Sequence, residues 1–119
     1  MAKKKQYPQV MEFRFMGFKW LINFVDIFNE NYGETDLVAK EINIYYKNRT
    51  KQDIIETLLH ELQHVMLFDL VEPIFHFENE KIDNKEENAI RLTSPRVFHL
   101  LRDNVKLMDF IVKEIKECN

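Results

Sequence analysis

The chain is poor in glycine and cysteine, and both shortages exclude whole classes of chemistry. Its two glycines are Gly17 and Gly33, so no glycine-rich phosphate loop or dinucleotide-binding fingerprint can follow position 33. Its single cysteine is Cys118, which excludes a disulfide within one chain and a metal site built from several thiolates. We therefore expect a reducing, cytoplasmic setting, with the chemistry carried by histidine and carboxylate side chains.

The chain also lacks an excess of positive charge and a long apolar run. Seventeen Lys and Arg residues against twenty Asp and Glu residues give a net charge of −3, which leaves no basic field for a nucleic-acid backbone. The most apolar stretch, residues 65–71, is interrupted by Asp69, so we predict neither a signal peptide nor a membrane span. Nucleic acids and membranes are therefore not expected partners.

The chain does have enough bulky apolar side chains for one core. Hydrophobic residues make up 45% of its 119 residues, and ten of them are phenylalanine. This length and composition are typical of one folded domain. We predict a flexible basic tail over residues 1–8 and a single domain over residues 9–119.

Alternation of apolar and polar residues predicts three short strands. Met11, Phe13 and Phe15 alternate with charged residues, which is the period of a half-buried strand. A turn at Gly17 would lead into a second strand over residues 18–24, so the two form a hairpin. Residues 29–35 are polar and predict a loop, and a third strand follows at residues 42–46.

After residue 50 the chain has no glycine and its apolar residues recur with helical spacing. Thr50 can cap a first helix that extends to about residue 70. A second helix is predicted to begin near residues 84–85, where Pro95 either interrupts it or opens a fresh helix. A last helix covers residues 105–117. Together these elements predict an α+β fold, in which a small antiparallel sheet of about three strands packs on two or three helices.

Residues 60–64 form an H-E-x-x-H motif, His60-Glu61-Leu62-Gln63-His64, in the middle of the first predicted helix. Chance placement would give roughly 0.014 such matches in a chain of this composition. Residues four apart lie on the same face of a helix, so both imidazoles can reach one metal ion, and neutral imidazole suits Zn²⁺. We predict that His60 and His64 bind zinc and that Glu61 is the general base that takes a proton from water.

A catalytic zinc site needs a third protein ligand, which must lie downstream. A metzincin would have glycine and histidine at positions 67 and 70, where this chain has leucines, so that family is excluded. Glu86 and Glu87 stand at the start of the second predicted helix. We choose Glu87, whose spacing leaves it beside the core face, with Glu86 as the close alternative; either acid could instead complement a helix N terminus. The other downstream donors are Asp69, Glu72, His76, Glu78, Glu80, Asp83 and His99.

Three further side chains have two possible roles each. His99 could approach the site as a donor to the transition state, or it packs as an ordinary helical residue. Tyr45 and Tyr46 lie at the end of the third predicted strand and could line a cleft, although tyrosine is common in strands.

The motif segment and the residues after it resemble a known family. Ile55–His64, followed by Glu86-Glu87-Asn88-Ala89-Ile90-Arg91 and by residues 98–104, is similar to small zinc metallopeptidase-like proteins of phages and prophages. These look like minimal relatives of the ImmA/IrrE and SprT-like peptidase domains, and the resemblance extends from about Gly33 to Asn104.

This resemblance implies a zincin-like fold with the motif on its first long helix. It also implies a gluzincin arrangement, in which His60, His64 and an acid of the Glu86–Arg91 run bind zinc while Glu61 acts as the base. In zincins an edge strand beside the metal pairs with extended substrate, and we expect residues 42–46 to be that strand.

The sequence therefore predicts a zinc-dependent metallopeptidase that hydrolyses peptide bonds of a protein substrate in the cytoplasm of a phage host. The alternative is a zincin-like module, catalytically weak or inactive, that binds a host or phage protein as its partner.

Overall fold

The computed structural model describes residues 7–68 and 82–118. They form four strands and three helices, and the predicted α+β class is confirmed. The strands are β1 Val10–Phe15, β2 Phe18–Val25, β3 Gly33–Asp36 and β4 Glu41–Tyr45. The helices are α1 Lys51–Leu67, α2 Ile82–Asp103 and α3 Val105–Lys116.

The strands form one mixed sheet in the order β1-β2-β4-β3. The predicted hairpin is confirmed: β1 and β2 are antiparallel, and Met16 and Gly17 turn the chain at φ values of 52° and 82°. A positive φ at both turn residues matches the right-handed twist of the strands on either side. β2 and β4 are parallel, whereas β3 and β4 are antiparallel. The sheet therefore has four strands and includes a parallel pair, whereas we had predicted about three strands, all antiparallel.

β3 and β4 differ from the sequence prediction in two respects. Residues 33–35 belong to β3 and not to a loop, because Gly33–Asp36 pairs in antiparallel register with Glu41–Ile44. The strand that we predicted at residues 42–46 exists as β4, but it is an interior strand, since β2 and β3 flank it on both sides. Within the described residues the free edges of the sheet belong to β1 and β3, so the expectation that residues 42–46 form the substrate-binding edge is wrong.

The three helices cover one face of the sheet. Alternate strand residues face them and are buried, among them Phe13, Trp20, Ile22, Ile42 and Ile44. The opposite strand positions carry polar groups: the Asn23 amide donates to Asn43 Oδ1 at 3.0 Å. This alternation is typical of a sheet with one packed face and one face in solvent.

The core also includes Tyr7. Its side chain is 2% exposed and its ring stacks on Phe24 with the centroids 5.4 Å apart. Tyr7 lies within the predicted tail 1–8, so the prediction of a flexible tail does not hold for this residue. Residues 1–6 lie outside the described part of the chain.

Helix α1 begins where the sequence predicts and ends a turn earlier. The Thr50 hydroxyl accepts a hydrogen bond from the Asp53 backbone N–H at 3.1 Å, which satisfies one of the free donors of the first turn. At the other end, Arg96 of α2 donates to the carbonyl oxygens of Met66 at 3.2 Å and Phe68 at 2.6 Å. This guanidinium thereby binds carbonyl groups that have no partner within α1.

Helix α2 continues through Pro95 without a break. The Thr93 hydroxyl donates to the Ala89 carbonyl at 2.9 Å, and the Ser94 hydroxyl donates to the Ile90 carbonyl at 2.6 Å. These side-chain bonds occupy carbonyls in the turn before the proline. Of the described helices, none is both long and apolar enough to cross a membrane.

Candidate metal centre

His60 and His64 lie one turn apart on the exposed side of α1, and their Nε2 atoms are 3.2 Å apart. Two imidazole nitrogens that bind one tetrahedral zinc ion at about 2.0–2.1 Å lie about 3.3–3.4 Å from each other. The observed separation is therefore close to the distance that a shared metal ion requires. The helix sets this geometry, because positions i and i+4 face the same way.

Glu61 follows His60 on α1, and its side chain reaches strand β3 of the sheet. Its side chain is only 6% exposed, and Glu61 Oε2 accepts a hydrogen bond from the Thr35 hydroxyl of β3 at 2.6 Å. One ligand-type atom from each of His60, Glu61 and His64 falls within 4.8 Å of the others. Within residues 7–68 and 82–118, this is the one group that the geometry brings close enough to hold a metal ion.

Strand β3 approaches α1 closely beside Glu61. A Cβ atom on Gly33 would lie 2.7 Å from Thr57 Cγ2 and 3.2 Å from Glu61 Cγ, both closer than ordinary van der Waals contact. Glycine is therefore the residue that allows this approach. The inward positions of β3, Gly33 and Thr35, both face the side chain of Glu61.

A surface groove of about 440 Å³ lies beside His60, between the start of β3 and the N-terminal half of α1. Glu30, Asp53 and Glu56 contribute acidic side chains to it. No ion pair within the described residues involves any of these three carboxylates. The groove therefore carries net negative charge and opens directly onto His60 and Glu61. Its remaining lining residues are Asn31, Tyr32, Gly33 and Thr57.

Neither Tyr45 nor Tyr46 lines this groove. The Tyr45 hydroxyl donates to Glu34 Oε1 at 2.5 Å, and this hydrogen bond, together with burial, raises the pKa of Tyr45. Tyr46 packs against Tyr7, with the ring centroids 4.9 Å apart. Both tyrosines thus have structural contacts away from the histidines.

The structure does not bring the predicted third ligand to the histidines. Glu86 and Glu87 are both exposed on α2, and neither belongs to the group formed by His60, Glu61 and His64. Lys85 and Ala89 are half-buried, and each is two residues from Glu87 in the sequence. Because an α-helix turns by about 100° per residue, Glu87 lies on the far side of α2 from both of them. Its expected place beside the core face is therefore not observed.

The remaining donors fall into two sets. His99 is half-buried on α2, and it too lies outside the group. Asp69, Glu72, His76, Glu78 and Glu80 lie outside the described residues, and of the Asp83 side chain nothing is described.

Thr35 and Gly33 are the site residues that the sequence analysis missed. Gly33-Glu34-Thr35-Asp36 does alternate in burial along β3, and threonine favours strands. The segment has no apolar residue, however, so a search for alternating apolar residues could not detect it.

Comparison with known proteins finds no family model, no curated protein and no solved structure that matches this chain. What the site can do therefore has to follow from its own geometry.

Proposed function

We propose that the protein is a zinc-dependent metallopeptidase of the cytoplasm, phage-encoded, that cleaves a protein or peptide substrate. The observation that carries this proposal is the combination of two imidazole nitrogens 3.2 Å apart with a buried carboxylate within 4.8 Å of them. Two histidines on a solvated helix can be stable without a buried carboxylate beside them. Burial of a carboxylate costs free energy unless the carboxylate has a hydrogen-bond partner.

The proposed roles follow from where each side chain lies. His60 and His64 would hold the zinc ion, which when bound supplies the Lewis acidity that polarises a carbonyl group and acidifies water. Glu61 Oε2 is engaged by Thr35, so the other carboxylate oxygen is the one left to accept a proton. Glu61 would then pass this proton to the leaving amine of the cleaved peptide.

Substrate binding is proposed at the free edge of β3. This strand pairs with β4 on one side only, and it borders the groove that opens onto His60 and Glu61. Unpaired backbone groups at a sheet edge can receive an extended peptide as an additional strand. β3 is thus proposed as the substrate-binding edge strand, the role that we had expected for residues 42–46.

Glu87 is proposed as the third zinc ligand, with Glu86 as the alternative, on the basis of the resemblance of residues 86–91. Because Glu87 is exposed on α2, this proposal requires the first turns of α2 to approach α1 when zinc binds. Ligand substitutions test this step directly, independently of any substrate.

The test combines zinc content with cleavage of fluorescein-labelled casein and of a mixed peptide library. Purified protein should carry one zinc ion per chain, and His64→Ala should lose it. Glu61→Gln should keep zinc and lose cleavage by about 10²–10⁴-fold, because the general base is removed. Loss of zinc in Glu87→Ala but not in Glu86→Ala supports Glu87, and the reverse result transfers the role to Glu86.

The second candidate, a zincin-like module that binds a host or phage protein, predicts a different result. It is favoured by the observation that the described residues bring no third protein ligand to His60 and His64. If Glu61→Gln leaves the biological effect of the protein intact, the binding module replaces the enzyme as the better explanation.

A further inference from the structure

We infer that Thr35 is a positioning residue for Glu61, and that strand β3 thereby joins substrate binding to alignment of the general base. The inference rests on the proposed function, since it gives Thr35 a part in the same reaction. The contact joins Thr35 and Glu61, which are 26 positions apart in the chain, and Thr35 is not part of the H-E-x-x-H motif.

The contact between the two side chains is short and directional. The Thr35 hydroxyl donates to Glu61 Oε2 at 2.6 Å, a length typical of hydrogen bonds to an ionised carboxylate. A carboxylate that is 6% exposed has few water molecules to hold it in place. Thr35 therefore fixes one oxygen of a carboxylate that has a ligand-type atom within 4.8 Å of both histidines.

Gly33 restricts the same side chain from a second direction. It precedes Thr35 by two residues and so faces the same way from the strand, and a Cβ atom built on it would lie 3.2 Å from Glu61 Cγ. The backbone at Gly33 thus packs against the aliphatic part of Glu61 while Thr35 binds its carboxylate. Both contacts come from β3, which leaves Glu61 little freedom to turn away from the site.

The same strand offers its free edge to a substrate. Thr35 is held in register by its partner Ile42 in β4, whereas the other side of β3 has no partner strand among the described residues. A peptide that adds to this side would hold β3 between two strands and so hold Thr35 against Glu61. Binding of extended substrate would then favour the aligned base.

A simpler role for Thr35 is to satisfy a buried carboxylate and stabilise the fold. The two roles differ in what the hydroxyl does for turnover. Removal of a purely structural hydroxyl lowers stability and leaves the folded enzyme equally fast, whereas removal of a positioning hydroxyl lowers kcat with little change in KM, because the interaction matters most in the transition state.

The experiment uses full-length, zinc-loaded protein with labelled casein and the peptide library as probes. Thr35→Val keeps the shape and removes the hydroxyl, and Thr35→Ser keeps the hydroxyl as the matched control. We expect Thr35→Val to lower kcat roughly tenfold to a hundredfold, as for loss of a hydrogen bond to a charged group, with an unchanged KM and zinc content. Thr35→Ser should retain most of the wild-type kcat.

A kcat for Thr35→Val equal to that of the wild type would overturn the inference, and so would an equal loss in Thr35→Ser. Urea denaturation of the metal-free protein adds a readout that needs no activity: Thr35→Val and Glu61→Met should be non-additive, because the two wild-type side chains share one hydrogen bond and each substitution removes it. Additive effects would also overturn the inference. If the zinc-loaded wild type cleaves neither probe, the proposed function fails first and the role of Thr35 in turnover fails with it, whatever the urea result.

Discussion

Gly33→Ala is the substitution for which the structure gives the most definite expectation. The new Cβ atom would lie 2.7 Å from Thr57 Cγ2, 3.1 Å from the Asn43 carbonyl oxygen and 3.2 Å from Glu61 Cγ. The distance to Thr57 Cγ2 is too short for two carbon atoms that are not bonded. The Asn43 carbonyl belongs to the backbone of β4, which pairs with β3. Either β3 moves away from α1 or the Thr57 side chain shifts, and both responses loosen the packing around Glu61.

Two opposing effects set the magnitude. Adding a methyl group to a well-packed site typically costs about 1–3 kcal/mol. Replacing glycine by alanine also restricts the unfolded chain, which stabilises the fold by about 0.4–1 kcal/mol where the native backbone suits alanine. We therefore expect Gly33→Ala to lower the free energy of unfolding by about 1–2 kcal/mol.

Urea denaturation followed by tryptophan fluorescence measures this change. Trp20, the single tryptophan, is 3% exposed, so its emission reports the loss of the core. Thr57→Ser is the matched second substitution, because it removes Cγ2, the nearest atom, and keeps the hydroxyl that donates to the Asp53 carbonyl at 2.7 Å.

In the wild-type background Thr57→Ser should cost about 0.5–1 kcal/mol, the value of one partly buried methyl group. In the Gly33→Ala background it should be neutral or stabilising, because it relieves the shortest contact. If Thr57→Ser costs the same in both backgrounds, positions 33 and 57 do not interact, and the close approach of β3 to α1 is refuted.

Two further predictions concern contacts away from the site. Asn104→Ala should lower the free energy of unfolding by about 1–3 kcal/mol, because it leaves two backbone partners unpaired. The Asn104 amide accepts from the Arg14 backbone N–H at 2.6 Å and donates to the Arg14 carbonyl at 2.7 Å. A loss below about 0.5 kcal/mol in urea denaturation would contradict this prediction. The Lys51 ammonium lies 2.6 Å from Glu117 Oε2 and 3.2 Å from Glu114 Oε2, and its hydrogen bond lowers the pKa of Glu117 from its ordinary value. The stability contributed by this pair is therefore present above the ordinary pKa of Glu117 and is lost as pH falls through the lowered pKa. Lys51→Met should thus lower the Tm at pH 6 more than at pH 3. Equal losses of Tm at both pH values would count against the pair.

Local signals in the sequence predict the elements that local interactions stabilise. The first turn of α1 depends on Thr50 and Asp53, which are three residues apart, and the hairpin depends on a two-residue turn at Met16 and Gly17. Each of these features was predicted correctly from adjacent residues. The pairing of His60 with His64 has the same origin, since the helix repeat places both side chains on one face, where their Nε2 atoms lie 3.2 Å apart.

Tertiary contacts decided the features that the sequence analysis predicted wrongly. Pro95 indicates a helix break in the sequence, yet α2 continues through it, with the Thr93 and Ser94 hydroxyls bound to carbonyls of the preceding turn. Spacing from Ala89 suggested a core-facing Glu87, but which side of α2 is covered depends on how the helix packs. The acid is exposed instead.

Strand β3 was not predicted because its residues are polar, and one of these polar residues, Thr35, supplies the hydroxyl that binds Glu61. An apolar residue at position 35 would have made the strand easier to recognise, but it would have left Glu61 Oε2 without the hydroxyl that binds it. A buried carboxylate oxygen without a partner costs several times what an average hydrogen bond contributes. The helix thus places the two histidines on one face, whereas the burial of Glu61 depends on a polar strand at the edge of the sheet. A chain with this motif but without a hydrogen-bond donor facing position 61 would keep the two histidines on one helix face and lose the fixed orientation of the carboxylate.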